Sequence, residues 1–213
     1  MKYKFLKLAD GKIKSENGDC IWQIGEWQPK IEDLILCKKG YHCSSVILEA
    51  LHWVVGEVLA IVETKGSSIK DTNKSCWQNM RITKAYKWTK KDSVALAIYS
   101  AELVLKNYED KYPDDDRPRK AIKAAKKLLE NDTAKNRSAA EAAKSGAWAA
   151  WSATELAAWS AWSAAEAALS ATELAAWSAA KSAEAAEVVA KAVAVKKINK
   201  WLVEHIKELE EIR

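Results

Sequence analysis

The stretch Lys106–Lys120, KNYEDKYPDDDRPRK, holds two of the chain's three prolines, Pro113 and Pro118, and the run Asp114-Asp115-Asp116. It separates two parts of unlike composition. Pro118 suits the first turn of a helix beginning near Arg117, because a first-turn residue has no intrahelical use for an amide hydrogen. Three adjacent carboxylates resemble a metal cluster, yet they cannot face one ion unless a bent loop holds them. Placed just before a helix, they are expected to cap it and to oppose its dipole.

Upstream, residues 1–110 have the pattern of an α+β domain. Tyr3–Leu8 alternates as a half-buried strand, and Asn17-Gly18 lies between Lys12–Ser15 and Cys20–Ile24 as a hairpin turn. Leu34–Cys37 is expected as a short apolar strand. Ser44 or Ser45 is expected to cap a helix running to Val54, and His52 on that helix is read as a core histidine. Glu57–Glu63 (EVLAIVE) is an apolar strand, expected to end at the loop Lys65-Gly66-Ser67-Ser68, with a further strand over Met80–Trp88. A helix then starts at Asp92 or Ser93 and runs to about Lys106.

Downstream, residues 117–213 have the pattern of an all-α, Ala/Trp-rich domain, broken clearly only at Asn131-Asp132-Thr133. One helix over 134–213 would be about 120 Å long at 1.5 Å per residue, far beyond a compact domain, so the chain must fold back or pair. SATELAAWS occurs at Ser152–Ser160 and again at Ser170–Ser178, an offset of five helical turns. Five of the eleven tryptophans lie here. At about 100° per residue, Trp148, Trp151, Trp159, Trp162 and Trp177 share an arc of roughly 80° with Glu155, Glu166 and Glu173. The opposite side is almost entirely Ala and Ser. Such a stripe either packs against neighbouring helices, with each glutamate paired or at a rim, or lines a groove in which indoles stack a flat or cationic ligand. Ser145–Ala180 has no Lys or Arg, which disfavours nucleic acid and a membrane surface.

Charge is uneven. Residues 1–132 carry 24 basic and 19 acidic side chains, whereas 133–213 carry ten of each, so the net +5 belongs to the first part. Lys2, Lys4, Lys7, Lys12 and Lys14 at its head suit either a phosphate-facing edge or a lysine-lined edge strand that resists aggregation. No uncharged apolar run reaches the roughly 20 residues of a membrane span, and MKYKFLKLADGK lacks a signal-peptide core. A cytoplasmic protein is expected.

The four cysteines all lie in the first third, too sparse for a disulfide scaffold. No cofactor is called for. Cys20, Cys37, His42, Cys43 and Cys76 are the candidates for zinc, although paired C-x2-4-C spacing is missing. Adjacent His42 and Cys43 point apart in most backbones, which disfavours a nucleophile–base pair. No phosphate-binding glycine loop is present.

Two segments resemble known families. Cys37-Lys-Lys-Gly40-Tyr41-His42-Cys43, followed by a helix, an apolar strand and Gly66, resembles a domain of unassigned function common in bacteriophage and prophage proteins, which carries a C-x-x-G-[aromatic/Leu]-H-x-C segment. Asp115-Asp116-Arg117-Pro118-Arg119-Lys120-Ala121 and the Ala/Trp-rich helices after it resemble the Imm-5-like immunity-protein family. That family opens on D-x-R-P-R-x-A-[IL], and Trp201-Leu202 with Ile206 and Leu209 resembles its closing helix. The resemblance implies a mobile-element or inter-bacterial-conflict setting and the binding of a toxin or defence component.

Three functional expectations follow. The first is a non-enzymatic binding protein whose helical region serves as scaffold, self-association surface or interface for a protein partner. The second is sequestration of a small molecule or nucleotide in the Trp/Glu groove or at the domain junction. The third is an enzyme centred on Cys37–Cys43 and His42, whose strand–Gly-aromatic–helix order resembles ADP-ribosyl-transfer folds.

Overall fold

The computed structural model describes residues 1–18, 20–54, 56–152, 163–168, 178, 181 and 192–213. The chain is α+β and forms two compact units, Met1–Trp88 with Leu202–Arg213, and Thr89–Trp201. Among the described residues, no helix is long and apolar enough to cross a membrane.

The first unit is one antiparallel sheet. Its strands are β1 (Lys2–Ala9), β2 (Lys12–Lys14), β3 (Ile21–Trp22), β4 (Tyr41–Cys43), β5 (Val58–Lys70), β6 (Ser75–Lys87) and β7 (Glu211–Ile212), in the order β3-β2-β1-β5-β6-β4, with β7 also on β6. The sheet curls until its edges meet. Just past β4, Ser44 exchanges backbone hydrogen bonds with Tyr3 of β1, 2.8 and 3.0 Å long, closing a ring through β1, β5, β6 and β4. The free edge of β6 is covered in three pieces: β4 at its start, the irregular segment Gly25–Ile31 at its centre and β7 at its end. Covering an edge in this way satisfies its amides and blocks pairing with other chains.

Several expectations are corrected here. β5 does not stop at Lys65; Gly66, at φ +83°, sits in a bulge, the strand continues to Lys70, and Asp71–Lys74 makes the turn into β6. A glycine with positive φ serves a bulge as well as a turn, which is why Gly66 resembles a loop residue. Leu34–Cys37 is not a strand but a tight turn closed by the Ile35–Lys39 bridge, with Cys37 at φ +64°. Helix α1 (Ile47–Trp53) starts at Val46 rather than at a capping serine, because Ser44 is committed to β1. His52 is exposed, not in the core.

Alternation along β1 decides the rest. Lys2, Lys4 and Leu6 oppose Val62, Ala60 and Val58 of β5, so they share one face of the sheet. That face holds the core of Leu6, Ile13, Trp22, Cys43, Val58, Ala60, Val62, Met80, Ile82 and Ala85. β1 is therefore an interior strand, and Lys2 and Lys4 do not line an edge. The opposite face buries Phe5 edge-on to Trp88, with ring centroids 5.5 Å apart.

The second unit contains α2 (Lys90–Lys111), α3 (Arg117–Glu130), α4 (Ala134–Ser152), a helical stretch at 163–168, and most of α5 (Ala192–His205). α2 begins earlier than expected. Thr89 is the cap and Asp92 closes the capping box by accepting the Thr89 amide at 2.7 Å, so Asp92 occupies the third helical position. Lys144 and Glu166 form a 2.9 Å ion pair. On one continuous helix, residues 22 apart would be about 33 Å distant, so these two belong to different helical segments. Ser163, Ala164, Ala165, Ala167 and Ala168 are fully enclosed, as small side chains allow when helices approach closely.

Asp115, not Asp116, organises the start of α3. Its carboxylate accepts the Arg117 amide at 3.1 Å, both arms of the Arg117 guanidinium at 2.8 and 2.5 Å, and the Tyr108 hydroxyl at 2.6 Å. Of the acidic run expected to cap the helix, Asp115 takes up its first amide from one residue before the cap, while the N-cap residue Asp116 makes no side-chain cap bond and pairs with Lys120. The Arg117 bonds hold the Asp115 pKa well below the ordinary carboxylate range against the opposing effect of burial, and the Tyr108 hydroxyl lowers it further. Asp115→Ala is expected to cost about 2 kcal/mol at neutral pH, since charge-assisted bonds are strong but Arg117 is partly solvated. A depressed folded-state pKa gives stability that is complete above the unfolded value of 3.8 and is lost as pH falls below it. Urea unfolding at neutral and acid pH should therefore show a wild-type advantage that shrinks on acidification; an advantage independent of pH would contradict this account.

Candidate functional site

A chemically varied concavity lies in the first unit, between the start of β1, β4, the β2–β3 loop and the end of α1. Its volume is about 470 Å³. Lys4 and His42 face it with Cys20, Cys37 and Cys43, and Trp22 and Tyr41 add an aromatic wall in edge-to-face contact, 5.6 Å between centroids. Lys74 stands at the α1 side with its ammonium 3.4 Å from the Trp53 ring centre.

Each polar group has a definable state. The Lys4 ammonium donates to the His42 carbonyl at 2.9 Å and lies 5.9 Å from the Trp22 ring centre. Among the described residues no carboxylate is within ion-pair distance of it. Lys4 keeps accessible surface because it faces the cavity, but protein surrounds it, and burial lowers its pKa. The acid in the lining, Glu16, pairs with Lys7 at 3.0 Å.

Burial, and then Lys4 and Lys74, lower the pKa of His42. Its Nε2 accepts the Cys37 amide at 2.9 Å, which places the proton of the neutral ring on Nδ1. Cys43 shares a 3.6 Å contact with the Ser75 hydroxyl, Cys20 donates to Gln28 Oε1 at 3.2 Å, and Cys76, behind the β4 turn, donates to the Lys39 carbonyl at 3.4 Å. Burial raises all three of these thiol pKa values, so they stay protonated near neutrality. All four cysteines are free.

The residues proposed from sequence as zinc ligands thus come near one another, Cys20, Cys37, His42 and Cys43 on the cleft and Cys76 behind it. Among the described residues, however, no three His, Cys, Asp or Glu side chains are placed to hold a metal ion. The imidazole lone pair a metal would need is taken by the Cys37 amide. Of the tryptophan-stripe residues, Glu166 is half-buried and paired with Lys144. Burial lowers the Lys144 pKa, but bonds to Glu166 and Glu141 outweigh it, and the net direction is upward. Trp159, Trp162, Trp177, Glu155 and Glu173 lie outside the described residues, as do the side chains of Trp148 and Trp151.

Sequence reasoning missed Lys74, Trp22 and Tyr41 as site residues, and placed Lys4 on an edge strand rather than in a cleft. The available signal was Lys4 itself, a cation at an inward position of an alternating strand. It points into the molecule only if β1 is interior, and β1 is interior because of β5 and Ser44, which lie 54 and 40 residues away. No protein-family model, curated protein or solved structure matches the chain.

Proposed function

We propose that the protein is a non-enzymatic binding protein whose sheet unit holds a small, flat, anionic ligand in the Lys4 cleft. The observation that carries this is an ammonium facing a cavity with one backbone carbonyl as partner and, among the described residues, no carboxylate. A cation so placed is costly unless a counter-charge joins it. A ligand carboxylate or phosphate supplies that charge, Trp22 and Tyr41 supply an apolar wall for a ring, and Lys74 adds a second cation nearby. The cavity falls within the roughly 300–1,000 Å³ of small-molecule sites. A cytoplasmic, reducing setting that keeps the four thiols free belongs to the same proposal. The interface reading of the tryptophan stripe rests mainly on residues outside those described and contributes nothing to it.

Calorimetric titration with a panel of aromatic carboxylates and nucleoside monophosphates tests the proposal. At least one member is expected to bind more tightly than about 1 mM, near −4 kcal/mol. A panel in which aromatic amines bind and anions do not would overturn it, as would heat of binding from no member at all.

A further inference from the structure

A second concavity, about 560 Å³, runs between α3 and α4 in the helical unit and is independent of the cleft. Its floor is methyl groups, from Ala124 of α3 and Ala139, Ala142 and Ala143 of α4. Its rim is a row of cations, Arg117, Lys120, Lys123 and Lys127, which successive helical rotations of about 100° gather within an arc of roughly 120°.

The ion pairs on α3 are unequally distributed. Where α3 faces α2, its cations are matched within the chain: Arg119 pairs with Glu109 and Lys126 with Glu102. At the start of the groove Arg117 and Lys120 have Asp115 and Asp116. Farther along the rim, Lys123 and Lys127 are exposed, and among the described residues neither has a carboxylate within ion-pair distance. Among the described residues, α3 therefore leaves positive charge open on its groove side, beside the alanine floor and Asn136.

We infer that this groove docks an acidic amphipathic helix of a partner protein. The row from Arg117 to Lys127 spans about 15 Å, or three helical turns, so a partner segment of that length has its carboxylates opposite Lys123 and Lys127. Its small or aliphatic ridge rests on the alanines, where the low floor lets two helices approach closely. A nucleic acid fits less well, because the described lining residues offer no aromatic ring to a base.

The test uses the full chain and a fluorescently labelled peptide of about 15 residues, four turns, with an Ala/Leu ridge flanked by glutamates. Fluorescence anisotropy at low salt should show saturable binding that weakens as salt is raised. The double variant Lys123→Glu/Lys127→Glu, which changes two exposed side chains, is expected to lose at least about tenfold in affinity while its circular dichroism stays that of the wild type. The single variants Lys123→Glu and Lys127→Glu are each compared with Lys126→Glu, a variant of equal charge change on the α2 side and outside the groove, which should lose much less than either. Equal binding of a peptide carrying lysines for glutamates would overturn the inference. So would unchanged affinity in the double variant, or a preference for oligothymidylate over the acidic peptide.

Discussion

Gly56→Ala is expected to destabilise the sheet unit by at least about 3 kcal/mol, at the upper end of what overpacking produces. A Cβ on this buried residue would stand 2.2 Å from the Leu6 carbonyl oxygen and 2.7 Å from its carbon. Both are backbone atoms of β1, so no rotamer change relieves the clash. Leu6 also opposes Val58 in the β1–β5 ladder. Making room means separating those strands where the core is most enclosed, since Leu6, Val58 and Leu59 have no exposed surface. Gly25→Ala provides the comparison. Gly25 has φ +88° with nothing within 4 Å of an added Cβ, so its substitution isolates conformational strain, about 1 kcal/mol. Unfolding free energies of the two variants from denaturant titration should separate by at least about 2 kcal/mol. Equal values would mean that β1 yields at Leu6, and the ring closed through Tyr3 and Ser44 would then be looser than described.

Fold class was legible in the sequence because it depends on local periodicity. Tyr3 and Phe5 alternate with lysines, EVLAIVE is too apolar for a surface, and Pro113 and Pro118 punctuate the turn between α2 and α3. Sheet closure was not legible. Nothing near Ser44 announces that it pairs with Tyr3, and nothing in Gly25–Ile31 announces that it lies along β6. The return of Glu211–Ile212 to the sheet depends on a strand some 125 residues earlier. Such pairings are set by which edges remain uncovered once the hairpins form, and that information is distributed over the whole chain. The cleft shared this fate. Cys20, Cys37, His42 and Cys43 were recognised as a group by residue type, but the chemistry expected of them presumed available lone pairs and thiolates. The fold instead commits Nε2 of His42 to the Cys37 amide and keeps the buried thiols protonated, leaving Lys4 as the group with no counter-charge among the described residues.

Lys4→Met should therefore move stability and binding in opposite directions. Methionine has nearly the reach of lysine, lies along the same wall beside Trp22, and needs no hydration. Replacing an ammonium that has one carbonyl partner is expected to stabilise the free protein by about 1–2 kcal/mol, as removal of an uncompensated buried charge does. The pH dependence identifies the cause. A lysine whose folded-state pKa is lowered binds fewer protons than in the unfolded chain, so wild-type stability rises with pH up to the ordinary value of 10.5. The advantage of the methionine variant should consequently be greatest at low pH and fade towards 10.5. An advantage constant across that range would reflect packing alone. Affinity for any anion found by titration should meanwhile fall by about 100-fold or more, near 2.7 kcal/mol, because the bond lost is charge-assisted and shielded from water. A structural lysine would give the reverse result: the variant would be less stable, and ligand affinity would follow only the loss of folded protein. Higher stability together with lost affinity is the signature of a residue retained for its ligand, since the fold without that ligand would be better served by an apolar side chain.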